Sequence, residues 1–230
     1  MLAIRIHETG GVDTLRIDTV AVPAPGAGEV RLRVEAAGVN FIDTYQRSGL
    51  YAVPLPHTLG MEAAGVVTAV GAGVTEFSVG DRVASARVAG AYAGEALAPA
   101  AHTVKLPAGI TTLTAGALML QGMTAHYLAG DTFPLKAGDT ALVHAGAGGV
   151  GLLLTQIAKL RGARVLSTYS DYNWSMTAEG GERLVVEAIP EGVASVIILP
   201  APIATKKVSF EVLRKTRDNF VHLNEIELFE

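Results

Sequence analysis

The feature that most constrains the fold is a glycine-rich stretch, residues 144–151 (HAGAGGVG), with four glycines in eight residues. The apolar run 140–143 precedes it, and residues 152–160 follow with apolar side chains at helical spacing. Residues 163–170 then have the composition of a second buried strand. Because parallel strands need a crossover connection, usually a helix, the sequence predicts a βαβ unit in a parallel sheet.

Three of these glycines have the spacing of a nucleotide-binding turn. Gly146, Gly148 and Gly151 fit G-x-G-x-x-G, with a strand before them and a helix after them. The first glycine allows a tight turn, the second lets the backbone approach a pyrophosphate, and the third lets helix and strand pack closely. The sequence favours a dinucleotide loop that also includes Gly149 and Val150 over an ordinary strand–turn–helix.

The end of the second strand predicts which nucleotide binds. A dinucleotide site needs a ribose contact about 20 residues after the glycines, and Tyr169 or Ser170 stands there. Because small hydroxyl residues leave room for a 2′-phosphate, the sequence favours NADPH over NADH, with Ser170 as the contact. The usual basic partner is missing, since Arg183 is the only cation between Asp171 and Thr205.

The N-terminal part of the chain reads as short strands interrupted by turns. Val30, Leu32 and Val34 alternate with charged neighbours, which is typical of a half-buried strand. Similar runs separated by Gly and Pro predict a small barrel or sandwich. From Thr111 the spacing becomes helical and predicts one or two helices, with a weak point at Gly122.

After the second strand of the βαβ unit the pattern changes again. Residues 171–181 are polar and irregular, and four segments rich in β-forming residues follow without a helical segment between them. In one of them Val208, Phe210 and Val212 alternate with polar residues. This pattern predicts a β-rich tail of antiparallel strands. Residues 204–230 are faintly similar to the end of galactose-binding or discoidin-like modules.

Composition excludes several classes of function. The chain has no cysteine, which rules out disulfides, thiolate metal sites and cysteine nucleophiles and fits a reducing cytoplasm. With 17% charged residues and a formal net charge of −4, it lacks a basic surface for nucleic acid or for an anionic membrane. No signal peptide and no membrane-spanning run is recognisable. We expect a cytoplasmic protein without nucleic-acid or membrane partners.

Several segments resemble the quinone oxidoreductases of the medium-chain dehydrogenase/reductase superfamily. They are AAGVNFIDTYQRSGLY, LGMEAAGVVTAVGAGV, GDRV, LMLQGMTAHYL and LVHAGAGGVGLLLTQIAKLRGARVLSTYS, in this order. The resemblance covers residues 1–171 and implies an α/β plus β fold. It implies a GroES-like β-barrel substrate domain over residues 1–125 and a partial Rossmann dinucleotide-binding unit over residues 126–171. Residues 172–230 remain as a β-rich tail of uncertain origin.

Zinc-dependent relatives in this superfamily carry Gly-His-Glu where this chain has Gly60, Met61 and Glu62. Methionine replaces the ligand histidine, and no cysteine can supply a thiolate. The six histidines show no ligand spacing. We therefore expect no metal site and a zinc-free reaction.

Without a metal, hydrogen bonds must polarise the substrate carbonyl. In the family, the stretch that matches residues 40–51 lines the substrate cleft. The resemblance implies that Asn40 and Tyr51 orient the quinone oxygens and that Tyr45 assists. The alternative for both tyrosines is a structural role, because tyrosines also pack at domain edges with the hydroxyl in contact with water. Asp43 is expected to act structurally at a helix N-terminus.

The resemblance implies NADPH-dependent reduction of a quinone or a similar conjugated carbonyl, such as an enone. Thr124 matches a family position that approaches the nicotinamide, although a helical threonine often bonds back to its own backbone. No nucleophilic triad is evident.

A complete Rossmann sheet has two βαβαβ halves, and only one βαβ unit is recognisable here. Three interpretations stay open: a shortened enzyme with reduced or no catalysis, an active variant whose tail completes the sheet, or a non-catalytic fusion or truncated scaffold whose β-rich tail is a binding or interaction module. The short sheet leaves residues 163–170 with an open edge. We expect a homodimer or a tail strand to cover it.

Overall fold

The computed structural model of the chain describes residues 1–167 and the backbone of five strands between residues 173 and 227. The chain divides into two compact units, Met1–Leu120 and Gln121–Glu230. The domain boundaries expected after residues 125 and 171 stay predictions. In the described residues, no helix is both long enough and apolar enough to cross a bilayer.

Short antiparallel strands make up most of the first unit. They are β1 (Leu2–Ile6), β2 (Leu15–Thr19), β3 (Glu29–Ala37), β4 (His57–Thr58), β5 (Ala63–Val70), β6 (Arg82–Ser85), β7 (Glu95–Pro99) and β8 (Thr103–Lys105). Five form a sheet in the order β7-β3-β5-β6-β8, and three form a second sheet in the order β2-β1-β4. All these pairs are antiparallel, as a small barrel or sandwich requires.

Three helices lie between or after these strands along the chain: α1 (Phe41–Ser48), α2 (Thr112–Gly116) and α3 (Met119–Tyr127). Thr111 caps α2, since its hydroxyl oxygen accepts from the backbone N–H of Thr114 at 3.0 Å. The weak point predicted at Gly122 is wrong, because Gly122 lies inside α3. The break comes instead after Gly116, which packs onto Ala36 so closely that a Cβ would lie 2.8 Å from the Ala36 Cβ.

The alternation predicted for β3 is confirmed. Val30 and Leu32 are fully buried, and Val34 is half-buried against the same apolar cluster. Successive side chains of a strand point to opposite faces, so this alternation directs one face of β3 into the core. The neighbouring strands add further buried side chains to the cluster: Ala63, Val67, Val83, Ala96 and Ala98.

Gly65 of β5 lies where two backbones approach closely. The pairing of β3 with β5 shifts register between Val34 and Ala36, next to Gly65. A Cβ at Gly65 would lie 1.9 Å from the carbonyl oxygen of Arg33. A glycine inside a strand often marks such an irregularity, because it brings no side chain to the crowded point.

We expect Gly65→Ala to lower the free energy of unfolding by about 1–3 kcal/mol, because the crowding atom is backbone and cannot swing away. Urea unfolding measures the loss. Gly11→Ala is the matched control, since nothing lies within 4 Å of its Cβ position and its φ is −73°. We expect a change below about 0.5 kcal/mol there. Equal stability of the two variants would contradict this account of Gly65.

The second unit contains a strand–helix–strand arrangement: β9 (Thr140–Val143), α4 (Gly149–Leu160) and β10 (Arg164–Ser167). β9 and β10 are parallel, with Val143 opposite Ser167. Leu154 and Ala158 of α4 are fully buried in a core that includes Val143. The chain leaves the helix at Gly162, whose φ of +79° is typical of a helix C-terminus.

Five further strands follow: β11 (Asn173–Ala178), β12 (Arg183–Val186), β13 (Val196–Ile198), β14 (Lys207–Arg214) and β15 (Ile226–Glu227). Four of them form a sheet of antiparallel pairs in the order β12-β11-β14-β15. β13 instead pairs antiparallel with β9. The segment predicted to be irregular therefore contains a strand, β11, which a polar composition does not reveal.

β10 forms the edge of a sheet whose described order is β10-β9-β13. The expectation that a tail strand pairs with β10 is wrong for the described strands, because β13 joins the sheet on the other side of β9. The homodimer that would cover this edge stays a prediction.

Candidate functional site

Asn40 lies where the chain turns from β3 into α1. It is the residue that caps α1, and its backbone N–H donates to Oδ2 of Asp43 at 2.8 Å. A side chain three residues into a helix that accepts from the cap backbone is part of a capping box. Asp43 thus has the structural role expected of it.

Asn40 also contacts a second buried acid, Glu62, which is only 1% exposed. Oε2 of Glu62 accepts from the Asn40 side-chain nitrogen at 2.7 Å, and Oε1 accepts from the backbone N–H of Leu120 at 2.8 Å. Among the described residues no lysine or arginine forms an ion pair with Glu62 or Asp43. Hydrogen-bond donors therefore compensate the burial of both oxygens of Glu62 and of Oδ2 of Asp43, whereas the buried Oδ1 of Asp43 has no donor in the described part of the chain.

Tyr92 belongs to the same cluster, and the sequence analysis missed it. Its hydroxyl donates to Oδ2 of Asp43 at 2.6 Å. Burial, followed by this hydrogen bond, raises the pKa of Tyr92 far above its ordinary value, so the hydroxyl remains a donor. Its ring lies 2.6 Å from the Cβ position of Gly60, which has a φ of +92°. No spacing rule connects residues 43 and 92, so no sequence signal could have found this contact.

Tyr45 and Tyr51, the tyrosines predicted to contact the acceptor, lie together. Their ring centroids are 5.4 Å apart, and Phe41 continues the row at 6.3 Å from Tyr45. Phe41 and Tyr51 are 58% and 52% exposed, so the row presents aromatic surface to solvent. The structure thus brings Tyr45 and Tyr51 together on α1 and the turn after it, and it places Asn40 at the start of the same helix. Their roles toward a substrate stay predictions.

Thr124 and the glycine loop belong to the second unit. Thr124 lies half-buried on α3, and its contact with a nicotinamide stays a prediction. Residues 144–151 form the turn between β9 and α4, as expected from the sequence.

The tight part of this turn is made by Ala145, whose φ is +49°, and not by Gly146. The reason predicted for the first glycine is therefore wrong. Gly146 instead allows Ser167 of β10 to pack against the loop, since a Cβ would lie 1.7 Å from the serine hydroxyl oxygen and 3.0 Å from its Cβ. An alanine at positive φ carries strain, which proteins retain mainly at functional loops.

Gly151 and Gly148 face different surroundings. A Cβ at Gly151 would lie 2.4 Å from the Ala145 carbonyl oxygen and 2.6 Å from Cα of Gly146. This glycine allows close packing, as predicted. A Cβ at Gly148 would meet only the Ala145 oxygen, at 3.2 Å, and the φ of −73° suits any residue. Packing within the protein therefore gives little reason for a glycine at 148.

Gly148 is also the residue that caps α4, and it has no side chain to satisfy the first N–H groups of the helix. Val150 packs its half-buried side chain into the core of the unit, so only its backbone faces the turn. The side chain of Gln121 lies against Gly149, with Oε1 1.8 Å from the Cβ position. The helix start thus combines exposed backbone with the positive end of the helix dipole.

Two predicted positions cannot be placed. Ser170, expected at the ribose, and the alternative Tyr169 lie outside the described residues. The described part of that strand ends at Ser167, which is exposed.

His144 begins the loop and is 2% exposed. Burial lowers the pKa of its imidazole from 6.5 to about 4. The folded protein therefore holds this histidine neutral at physiological pH.

We expect Gly151→Ala to lower the free energy of unfolding by about 1–3 kcal/mol, because its Cβ would collide with backbone on two sides. Gly148→Ala should change it by less than about 1 kcal/mol, because a single oxygen must shift by a few tenths of an ångström. Thermal unfolding measured by circular dichroism compares the two. The reverse order of stability would contradict the packing described for the loop.

We expect acid to weaken the fold through His144. Because the unfolded chain takes up a proton near pH 6.5 and the folded chain only near pH 4, stability falls as the pH drops between these values, by at most about 1.4 kcal/mol per pH unit. Urea unfolding at pH 7.5 and pH 5 measures the loss. His144→Asn should reduce the pH dependence, and the exposed control His102→Gln should leave it unchanged. An unchanged pH dependence in His144→Asn would contradict the prediction.

The described residues contain no group of three or more His, Cys, Asp or Glu side chains that could hold a metal ion. Glu62, in the segment that corresponds to Gly-His-Glu in zinc-dependent relatives, instead directs both oxygens to N–H donors.

Comparison with known proteins identifies relatives of this architecture. The family model of the alcohol dehydrogenase GroES-like domain matches residues 26–133. A quinone oxidoreductase of Pseudomonas aeruginosa is 48% identical over 169 residues, which are 73% of this chain and 52% of the relative. The solved structure of the mycobacterial protein Rv1454c complexed with NADPH is 53% identical with a TM-score of 0.72, and the match covers 74% of this chain and 53% of that one.

The quinone oxidoreductase of Escherichia coli complexed with NADPH is 41% identical with a TM-score of 0.71. That match covers 73% of this chain and 52% of the other. The chain therefore spans about half the length of the relatives it matches. Over about three-quarters of its length, the chain is similar to quinone oxidoreductases in sequence and structure, as a partial member of that family would be.

Proposed function

We propose that this chain binds NADPH and reduces a quinone or a similar conjugated carbonyl. The observation that carries the proposal is the start of α4, where Gly148 is exposed and has only one close neighbour for a Cβ, the Ala145 oxygen at 3.2 Å. A pyrophosphate needs this approach and the helix dipole behind it. The neighbours in complex with NADPH and the relatives named quinone oxidoreductases support the choice of nucleotide and acceptor.

The chain's own residues would hold the nucleotide mainly by backbone. Gly146 lets the loop lie close to β10, and Gly151 lets α4 begin directly beside it. The groups assigned to the nucleotide are the backbone of Gly148, which the pyrophosphate would approach, and the N–H groups of Gly149, Val150 and Gly151, together with Thr124 toward the nicotinamide and Ser170 toward the ribose. The N–H of Gly148 itself donates to the Ala145 oxygen at 2.9 Å. The reduced nicotinamide, when bound, supplies the hydride.

The acceptor side of the proposal rests on Asn40, Tyr45 and Tyr51. Amide N–H and phenol O–H groups donate to a carbonyl oxygen, which gains negative charge as it is reduced. Donors of this kind bind the transition state more strongly than the ground state. The exposed row of Phe41, Tyr45 and Tyr51 adds flat apolar contact for a quinone ring.

We further propose that this reduction needs no zinc. Met61 cannot replace a ligand histidine at a zinc site. Glu62 is committed to Asn40 and to the backbone of Leu120, so its oxygens serve hydrogen bonds within the protein. The polarisation of the carbonyl then depends on the donors of α1 and the turn after it.

The finer architecture is proposed as well. Residues 126–171 form a partial Rossmann unit in this proposal, and the β-rich tail adds β13 to its sheet. The antiparallel pairing of β13 with β9 supports the interpretation in which the tail completes the sheet by another route. We assign the protein to the cytoplasm, with a homodimer covering the edge of β10.

Titration of the purified chain with NADPH and NADH tests the nucleotide, with nicotinamide fluorescence as the measurement. We expect NADPH to bind more tightly than NADH. Gly148→Ala should weaken NADPH binding about tenfold, equivalent to about 1.4 kcal/mol, while the protein stays folded. Binding of neither nucleotide would refute the proposal and favour the non-catalytic scaffold.

Loss of nicotinamide absorbance with a simple quinone then tests catalysis. We expect Tyr51→Phe and Asn40→Ala to lower kcat by about 10- to 100-fold, because each removes a donor to the developing oxyanion. Tyr127→Phe is the matched control, since Tyr127 is similarly exposed and is not among the residues assigned to the acceptor or the nucleotide. Equal turnover of Tyr51→Phe and Tyr127→Phe would exclude Tyr51.

A further inference from the structure

We propose that Glu62 is a positioning residue, which fixes the direction in which the Asn40 amide faces the acceptor. This inference rests on the proposed function and extends it to a buried residue to which neither the sequence nor the comparisons assign a role. Glu62 acts through Asn40 and is not itself expected to touch the substrate, since it is 1% exposed.

The contact between the Asn40 amide and the Glu62 carboxylate joins two groups with different hydrogen-bonding capacity. A carboxylate has acceptors only, whereas the end of an asparagine side chain has a donor nitrogen and an acceptor oxygen. The Asn40 nitrogen lies 2.7 Å from Oε2 of Glu62. If the amide turned over, its oxygen would face a carboxylate oxygen at hydrogen-bond distance without a hydrogen between them. Glu62 therefore selects one of the two amide orientations.

Glu62 itself is held in place and cannot turn away from Asn40. Its other oxygen accepts from the backbone N–H of Leu120 at 2.8 Å, and its backbone oxygen accepts from the N–H of Gly38 at 3.0 Å. The carboxylate fills the space beside Gly38, where a Cβ would lie 2.1 Å from Oε2. Hydrogen bonds thus hold both the backbone and the side chain of Glu62 in a closely packed environment. A side chain fixed in this way can keep its hydrogen-bond partner in one orientation.

The two acids around Asn40, Asp43 and Glu62, have different roles. Asp43 accepts from the backbone N–H of Asn40 and from Tyr92, so it fixes the main chain at the start of α1. Glu62 contacts the side chain of Asn40 and fixes the amide plane. The location and the orientation of the amide thus depend on different residues, and the two can be varied separately.

Glu62→Gln tests this assignment while preserving size. The glutamine oxygen can still accept from Leu120, but its NH₂ group would then face the NH₂ group of Asn40. The Asn40 amide must turn over to form a hydrogen bond. We expect kcat with a quinone to fall about tenfold or more, while the Kd for NADPH changes less than twofold. Glu76→Gln is the matched control, since Glu76 is exposed, and it should leave both unchanged.

The double variant Glu62→Gln with Asn40→Asp tests whether restoring the hydrogen bond between the two side chains is by itself enough for turnover. It restores a donor–acceptor pair with the same total charge, but the donor now belongs to residue 62. We expect the thermal stability lost in Glu62→Gln to return, while turnover does not. Recovery of turnover together with stability would overturn the proposal. If Glu62→Gln alone does not fold, the double variant still gives this answer.

A readout without turnover separates this inference from the proposed function. The side-chain amide signal of Asn40 in a ¹⁵N NMR spectrum is identified by its loss in Asn40→Asp. We expect slow exchange of these hydrogens with water, and a shifted, faster-exchanging signal in Glu62→Gln but not in Glu76→Gln. An identical Asn40 signal in all folded variants would overturn the inference. A shifted signal in a protein that reduces no quinone would instead refute only the proposed function.

Discussion

The first unit depends on the burial of one acid, Glu62. Its backbone oxygen holds Gly38 at the end of β3, and its side chain holds Asn40 at the start of α1 and Leu120 in α3. A buried charge is costly unless hydrogen bonds replace its hydration. The two donors that replace it come from two separate elements, the start of α1 and α3, so the acid and these elements stabilise one another.

Close approaches of this kind account for glycine at three positions of the unit. Gly38 leaves room for the carboxylate, Gly60 for the ring of Tyr92, and Gly65 for the bulged neighbour strand. At each of these positions, the absence of a side chain lets a carboxylate, an aromatic ring or a backbone atom lie close to the glycine. The glycine-rich composition of the chain therefore reflects close approaches at named positions more than flexibility.

Periodicity and turn chemistry predict local structure well here. The alternation of Val30, Leu32 and Val34 follows from one buried face, and the strand–loop–helix around residues 144–151 follows from apolar runs on both sides of the glycines. The reasons for individual glycines were less predictable. Ala145 takes the positive φ of the turn, and Gly146 lies against Ser167 of β10, a contact between distant segments that no local pattern describes.

The candidate site was predictable only in part, for a related reason. The resemblance to quinone oxidoreductases pointed to Asn40, Tyr45 and Tyr51, which adjoin in sequence. Glu62 and Tyr92 entered through contacts between distant segments, and no spacing rule describes such contacts. The residues that hold a site in place are often of this kind, because orientation requires support from several directions.

The antiparallel strand beside β9 has a consequence for any ligand at the glycine loop. In a parallel sheet every strand delivers its carboxyl end, and the loop after it, to the ligand edge. β13 runs the other way, and Val196 at its amino end lies opposite Val143, which is followed by the loop. On this side of β9, the chain thus arrives at the ligand edge instead of departing from it. At this position the edge therefore receives the segment that leads into a strand, and not the loop that follows one.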